Sequence, residues 1–102
     1  MTLTPKTAQR LPAEVLAQAA DTLRVLAHPH RLKIVELLLE GRHSVGELAE
    51  ILGQAPSAVS QHLNQMKAHG ILRSERAGRI VLYQVIDPNT KTLIGCIRKH
   101  CR

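Results

Sequence analysis

Aromatic side chains are almost absent: the chain has one tyrosine, Tyr83, and no tryptophan or phenylalanine. Single-stranded nucleic-acid binders and most RNA modules stack bases on several exposed rings, so this scarcity favours duplex DNA over RNA. It also makes the core aliphatic. Acidic residues are few, 8 against 14 lysines and arginines, which gives a net charge of +6 and a pI near 10.0. So basic a small domain points to a polyanionic partner, nucleic acid ahead of a membrane surface. No segment approaches the length that spans a bilayer, and the opening MTLTPKTAQRLP has no apolar run of the signal-peptide kind. The expected location is cytoplasmic, with no membrane partner. The two cysteines are then thiols with a task, or packing residues, before they are a structural disulfide. No nucleophile and base at recognised spacing, no phosphate-binding glycine loop and no metalloprotease motif appears, which argues against an enzyme.

A chain of 102 residues is one domain with a small core, so association that buries more apolar surface would help it. Residues 1–11 lack periodicity and carry Pro5, Lys6 and Arg10, which reads as a flexible basic arm; residues 12–102 form the domain. Pro12 suits the first turn of a helix, and Val15, Leu16, Ala19, Leu23 and Leu26 make one apolar stripe across Ala13 to Ala27. His28 and Pro29 interrupt it. A second helix is expected from about His30, apolar almost all round through Leu39, with Gly41 as a left-handed cap. Ser44 and Glu47 have the spacing of a capping box and open a short helix over Val45 to Leu52, closed by Gly53.

The next stretch, APSAVSQHLNQMKAHG from Ala55 to Gly70, sorts onto two helix faces at about 100° per residue. Val59, Leu63 and Met66 fall on one; Ser57, Ser60, Gln61, Asn64 and Ala68 fall on the other. That second face is uncharged, whereas an idle solvated face is usually rich in lysine and glutamate. Serine, glutamine and asparagine offer donors and acceptors at short reach, the groups that read base edges in the major groove. Two short helices joined by a tight glycine-containing turn make a helix-turn-helix, in which the second helix enters the groove. After Gly70 the period changes to two. Ile71 to Arg76 and Ile80 to Val85, joined through Ala77 and Gly78, read as a hairpin wing carrying Arg73, Arg76 and Arg79 for phosphates or a narrow minor groove. Asp87 and Pro88 then open a last helix through about His100, whose Leu93, Ile94 and Ile97 would form a seam against a partner helix. The expected fold is mainly α with a small β-hairpin, a dimeric winged helix-turn-helix.

The runs LRVLAHPHRLKIVELLLEG, SVGELAEILG and SAVSQHLNQMKAHGILRSERAGRIVLYQV resemble the winged helix-turn-helix repressors of the ArsR/SmtB family from Leu23 to Val85. That resemblance implies a homodimer built through the first and last helices, bound to an imperfect inverted repeat in an operator and released by an inducer. Carried over by position, Ser57, Ser60, Gln61 and Asn64 face the groove, and Lys67, Arg76 and Arg79 the backbone. No cofactor is implied for DNA binding itself. The family's two-cysteine motif at the start of the third helix is missing, because Ser44 and Gly46 stand there. Its carboxylate and histidine site along the last helix is doubtful, since no carboxylate side chain follows Asp87. Reactive-sulfur sensors of the family pair a cysteine of the second helix with one of the last, and the second helix has none.

Cys96, His100 and Cys101 remain as a sensing cluster. Thiolates favour trivalent arsenic or a soft metal; the alternatives are an oxidant or reactive sulfur species, or two small side chains edging a seam. In an unbroken helix the two cysteine Cα atoms would lie about 8 to 9 Å apart, beyond disulfide reach. Among the other histidines, His28 and His30 have a His-x-His spacing that could chelate a metal, although a turn between helices explains them equally well. His62, toward the apolar side of the recognition helix, reads as a packing or phosphate-contact residue. A winged-helix module that binds protein and has no operator is the reading from a different class.

Overall fold

In the computed structural model, residues 10–101 are described; the expected arm lies outside them except for Arg10 and Leu11, which are exposed. The helices are α1 (Ala13–Leu26), α2 (Pro29–Glu40), α3 (Val45–Leu52), α4 (Pro56–Ala68) and α5 (Pro88–His100). The strands are β1 (His43–Ser44), β2 (Leu72–Ala77) and β3 (Ile80–Val85), ordered β1-β3-β2 in one antiparallel sheet. No described helix is long and apolar enough to cross a membrane.

The core is aliphatic. Ile34, Val35 and Leu38 of α2, Leu48 of α3, Val59, Leu63 and Met66 of α4, Ile71 and Leu72 before and in β2, and Ile94 of α5 are all buried. Helix α2 sits at its centre, as its nearly continuous apolar sequence requires. The serine hydroxyl of Ser44 accepts from the Glu47 backbone N–H at 3.2 Å, and the Glu47 carboxylate accepts from the Ser44 N–H at 2.8 Å, completing the capping box.

Both helices of the helix-turn-helix end in the same way. At the end of α3, Gln54 N–H reaches Ala49 O at 3.1 Å and Gly53 N–H reaches Glu50 O at 3.3 Å; at the end of α4, Ile71 pairs with Met66 and Gly70 with Lys67, each at 3.0 Å. These are Schellman closures, and Gly53 and Gly70 occupy the left-handed positions at φ 64° and 74°. Because the Ile71 N–H is spent on this closure, β2 starts at Leu72, one residue later than the pattern suggests. At the wing tip Ala77 pairs with Ile80, leaving Gly78 and Arg79 as a two-residue loop with Gly78 at φ 66°.

Three expectations need correction. Helix α2 begins at Pro29, not His30, because a proline at the first helical position lacks an N–H that would be unpaired anyway. Gly41 is not a left-handed cap: its φ of 168° and ψ of 173° are extended, since the chain must run straight on into β1, where His43 pairs with Tyr83 and Ser44 with Leu82. The α5 stripe is not wholly free for a partner: Ile94 is 6 % exposed within the protomer core, which leaves the half-buried Leu93 and Ile97 at its edge. The face without cover belongs to α1. Of its residues only Val25 and Leu26 are buried, while Val15, Leu16 and Leu23 are 43 %, 52 % and 53 % exposed.

Candidate nucleic-acid interface

Helix α4 is seated by Val59, Leu63 and Met66, each 0 % exposed, so its outward face is fixed in rotation. On that face Ser57, Gln61 and Asn64 are exposed and Ser60 is half-buried. None of these four side chains hydrogen-bonds another group among the described residues, so their donors and acceptors stand available. The N-cap position, Ala55, has no side-chain acceptor, and Pro56 follows it at the first helical position. In the first turn Pro56 has no N–H and the Ala58 N–H donates to the Ala55 carbonyl at 3.0 Å, so the Ser57 N–H is the first-turn donor without a partner among the described residues.

The wing stands beside this helix and is tied to it. Lys67 Nζ donates to Ser74 Oγ of β2 at 2.7 Å, so Lys67 spends one donor on holding helix and wing together and keeps two for an anion. Arg73 and Arg76 of β2 and Arg79 of the loop are exposed. On the wing's other side Arg42 pairs with Glu75 at 2.9 Å, an exposed contact of small energy.

Sequence reasoning missed Arg31. This residue of α2 donates from Nε to His62 Nδ1 at 3.0 Å and from Nη1 to the Val25 carbonyl at 3.0 Å, joining α4 to the last turn of α1. An arginine within an apolar helix carries no pattern that would name its partners. Burial holds the His62 imidazole below the usual histidine pKa, and the nearby His28, Arg31 and His30 add to the effect.

The expected sensing residues lie at the far end of the chain. Cys96, His100 and Cys101 are exposed, the thiols are free, and Cys101 lines a shallow groove between α2 and α5 that Cys96 does not reach. Among the described residues, the metal-ligating side chains that converge are instead His28, His30 and His62. The expectation of His62 as a packing or phosphate-contact residue did not foresee this meeting, because a periodicity argument places a residue on a face without saying what the face touches.

The model of the bacterial regulatory proteins of the arsR family matches residues 28–74. The transcriptional regulator NmtR of Mycobacterium tuberculosis is 38% identical over 84 residues, which cover 82% of this chain and 70% of NmtR. The chain belongs to the ArsR family. The transcriptional repressor SmtB of Mycobacterium tuberculosis is 45% identical over 76 residues, 74% of this chain; the match spans 56% of SmtB's length. The structure of reduced HlyU from Vibrio cholerae superposes with a TM-score of 0.81 at 31% identity, covering 87% of this chain and 95% of that one. The ArsR-family chain thus has the winged helix-turn-helix fold, and its relatives are named as transcriptional regulators, not enzymes.

Proposed function

We propose that this chain is a homodimeric, cytoplasmic transcriptional repressor that binds an inverted repeat in duplex DNA and is released by an inducer. The observation that carries it is the uncharged, unpartnered face of Ser57, Gln61 and Asn64 on a helix whose opposite face is fully buried, beside a wing with Arg76 and Arg79 exposed. Ser60 completes the reading face from its edge; Lys67, Arg76 and Arg79 contact phosphates. The kinship with a protein named as a repressor supports the sign of regulation.

A titration of duplex DNA against salt tests this. Gln61→Ala is expected to cost about 1 to 3 kcal/mol for the preferred sequence and to relax discrimination, whereas Arg79→Ala weakens all sequences alike and lowers the salt slope by about one. Equal weakening of specific and random duplexes by Gln61→Ala would remove it from base reading. Absence of salt-dependent DNA affinity in the parent chain would leave a protein-interaction module.

The inducer is a thiophilic species of the trivalent arsenic class, or a soft metal, bound by Cys96 and Cys101 with His100 alongside. Arsenite takes three thiolates and a mono-organic arsenical two, so one subunit suits the latter. Cys101 follows the last helical residue, His100, where a helix end frays, and so can fold back toward Cys96. A second reading, oxidation or persulfidation of the same thiols, is favoured by their exposure and by the relative solved expressly in a reduced form. Titrating the operator complex with arsenicals, copper(I) and persulfide decides between them, and release by an arsenical that persists in both Cys96→Ser and Cys101→Ser removes the site.

A further inference from the structure

We propose that His28, His30 and His62 form a binding site for a borderline divalent metal ion of the zinc class, which clamps the recognition helix to the junction of α1 and α2. His28 and His30 cap and open α2, whereas His62, distant from both in sequence, comes from the middle of α4. One nitrogen of each ring lies within 4.8 Å of the others, and the ring centroids of His28 and His62 are 4.6 Å apart. A tetrahedral zinc ion with Zn–N bonds of about 2.0 to 2.1 Å sets its ligand nitrogens roughly 3.3 Å apart. Closing the difference needs small side-chain rotations of half-buried rings.

The hydrogen bonds define what binding must displace. His28 Nδ1 accepts from the His30 backbone N–H at 3.1 Å, and His62 Nδ1 accepts from Arg31 Nε at 3.0 Å. In the neutral rings the proton then sits on Nε2, so neither Nε2 lone pair is free. An ion on Nε2 requires that proton to pass to Nδ1, which turns Nδ1 from acceptor to donor; an ion on Nδ1 displaces the N–H donor directly. Either way Arg31 Nε must leave His62, while its Nη1 keeps the Val25 carbonyl within reach. Occupancy is therefore reported by Arg31. The His30 ring has no hydrogen-bond partner among the described residues and enters the site without any such loss.

The donor set chooses the ion. Imidazoles suit zinc, copper, nickel and iron, whereas magnesium and calcium need oxygen ligands, and among the described residues no carboxylate joins this cluster. His62 directly follows Gln61, so an ion here acts on the helix proposed to read DNA, although the site itself does not depend on operator binding.

The experiment uses the untagged chain in a Cys96→Ser, Cys101→Ser background, which removes the thiolates as competing ligands. Cobalt(II), then zinc(II) in competition, is titrated into it while cobalt d–d absorption and the Arg31 Nε–H NMR signal are followed. Binding of one ion per chain, tetrahedral cobalt absorption and a shift of the Arg31 signal that saturates at the same point are expected. His30→Ala, which removes no hydrogen bond of the described side chains, should lower affinity at least about tenfold while the amide spectrum stays that of a folded chain. His62→Gln should do the same. No saturable binding in the cysteine-free background, affinity unchanged in His30→Ala, or an Arg31 signal indifferent to the ion each overturns the site.

Discussion

A Leu16→Asp variant is expected to sediment as a folded monomer and to lose operator affinity by roughly two orders of magnitude or more. Leu16 is 52 % exposed in the single protomer, so an aspartate there stays hydrated in a monomer and costs it little. Within a dimer seam the same carboxylate would be buried without a partner, a penalty of roughly 3 to 5 kcal/mol. Helix α1 makes the case for such a seam. It has 14 residues and buries only Val25 and Leu26, far less apolar surface than an amphipathic helix needs to hold itself on a domain. Its Val15, Ala19 and Leu23 also line, with Leu93 of α5, an open groove of about 370 Å³ that a second copy of α1 can fill. Two recognition helices on one DNA read two half-sites about one helical turn apart, and a monomer reads one. Sedimentation equilibrium and an operator titration check both halves. An intact dimer, or a monomer with parental affinity, contradicts the arrangement.

The helix-turn-helix and its wing were legible because each local signal agreed with the next. The Ser44 and Glu47 box, the closing glycine Gly53, and the change of period after Gly70 correspond to an observed cap, closure and pair of strands. Local chemistry of this kind depends on residues within one turn, which a linear reading contains. Strand β1 was invisible, because two residues pairing with β3 carry no period, and its existence also explains the extended Gly41. The burial of Ile94 was misassigned for a related reason: a three-residue stripe on α5 has the same pattern whether α2 or another subunit covers it. The histidine cluster lay further out of reach. Spacing brought out His28 and His30, but His62 joins them only through the way α4 crosses the start of α2, with Arg31 between. Contacts separated by some thirty residues are set by packing, and one sequence alone does not state them.

Leu63 and Asn64, adjacent in sequence, are expected to fail in opposite ways when each is replaced by alanine. Leu63 is 0 % exposed in the shared core, so Leu63→Ala should destabilise the fold by about 2 to 5 kcal/mol through lost transfer energy and the cavity left behind. Against the roughly 5 to 15 kcal/mol that holds a domain folded, that is a large share, and it should lower the melting midpoint by roughly 10 to 30 °C. Asn64 is exposed and bonds nothing in the protomer, so Asn64→Ala should leave the unfolding free energy within about 0.5 kcal/mol. Its effect belongs to the complex: an amide that pairs with a base edge is worth about 1 to 3 kcal/mol of discrimination. Urea unfolding and operator binding, measured on both variants at one salt concentration, separate the two faces of α4. Because operator binds only the folded form, Leu63→Ala should recover part of its lost stability when saturating DNA is added, while Asn64→Ala gains less from the same DNA than the parent does. If Asn64→Ala proved the destabilised variant and Leu63→Ala the one that binds poorly while stably folded, α4 would be rotated from the orientation described, and Ser57, Gln61 and Asn64 could not be the face that reads DNA.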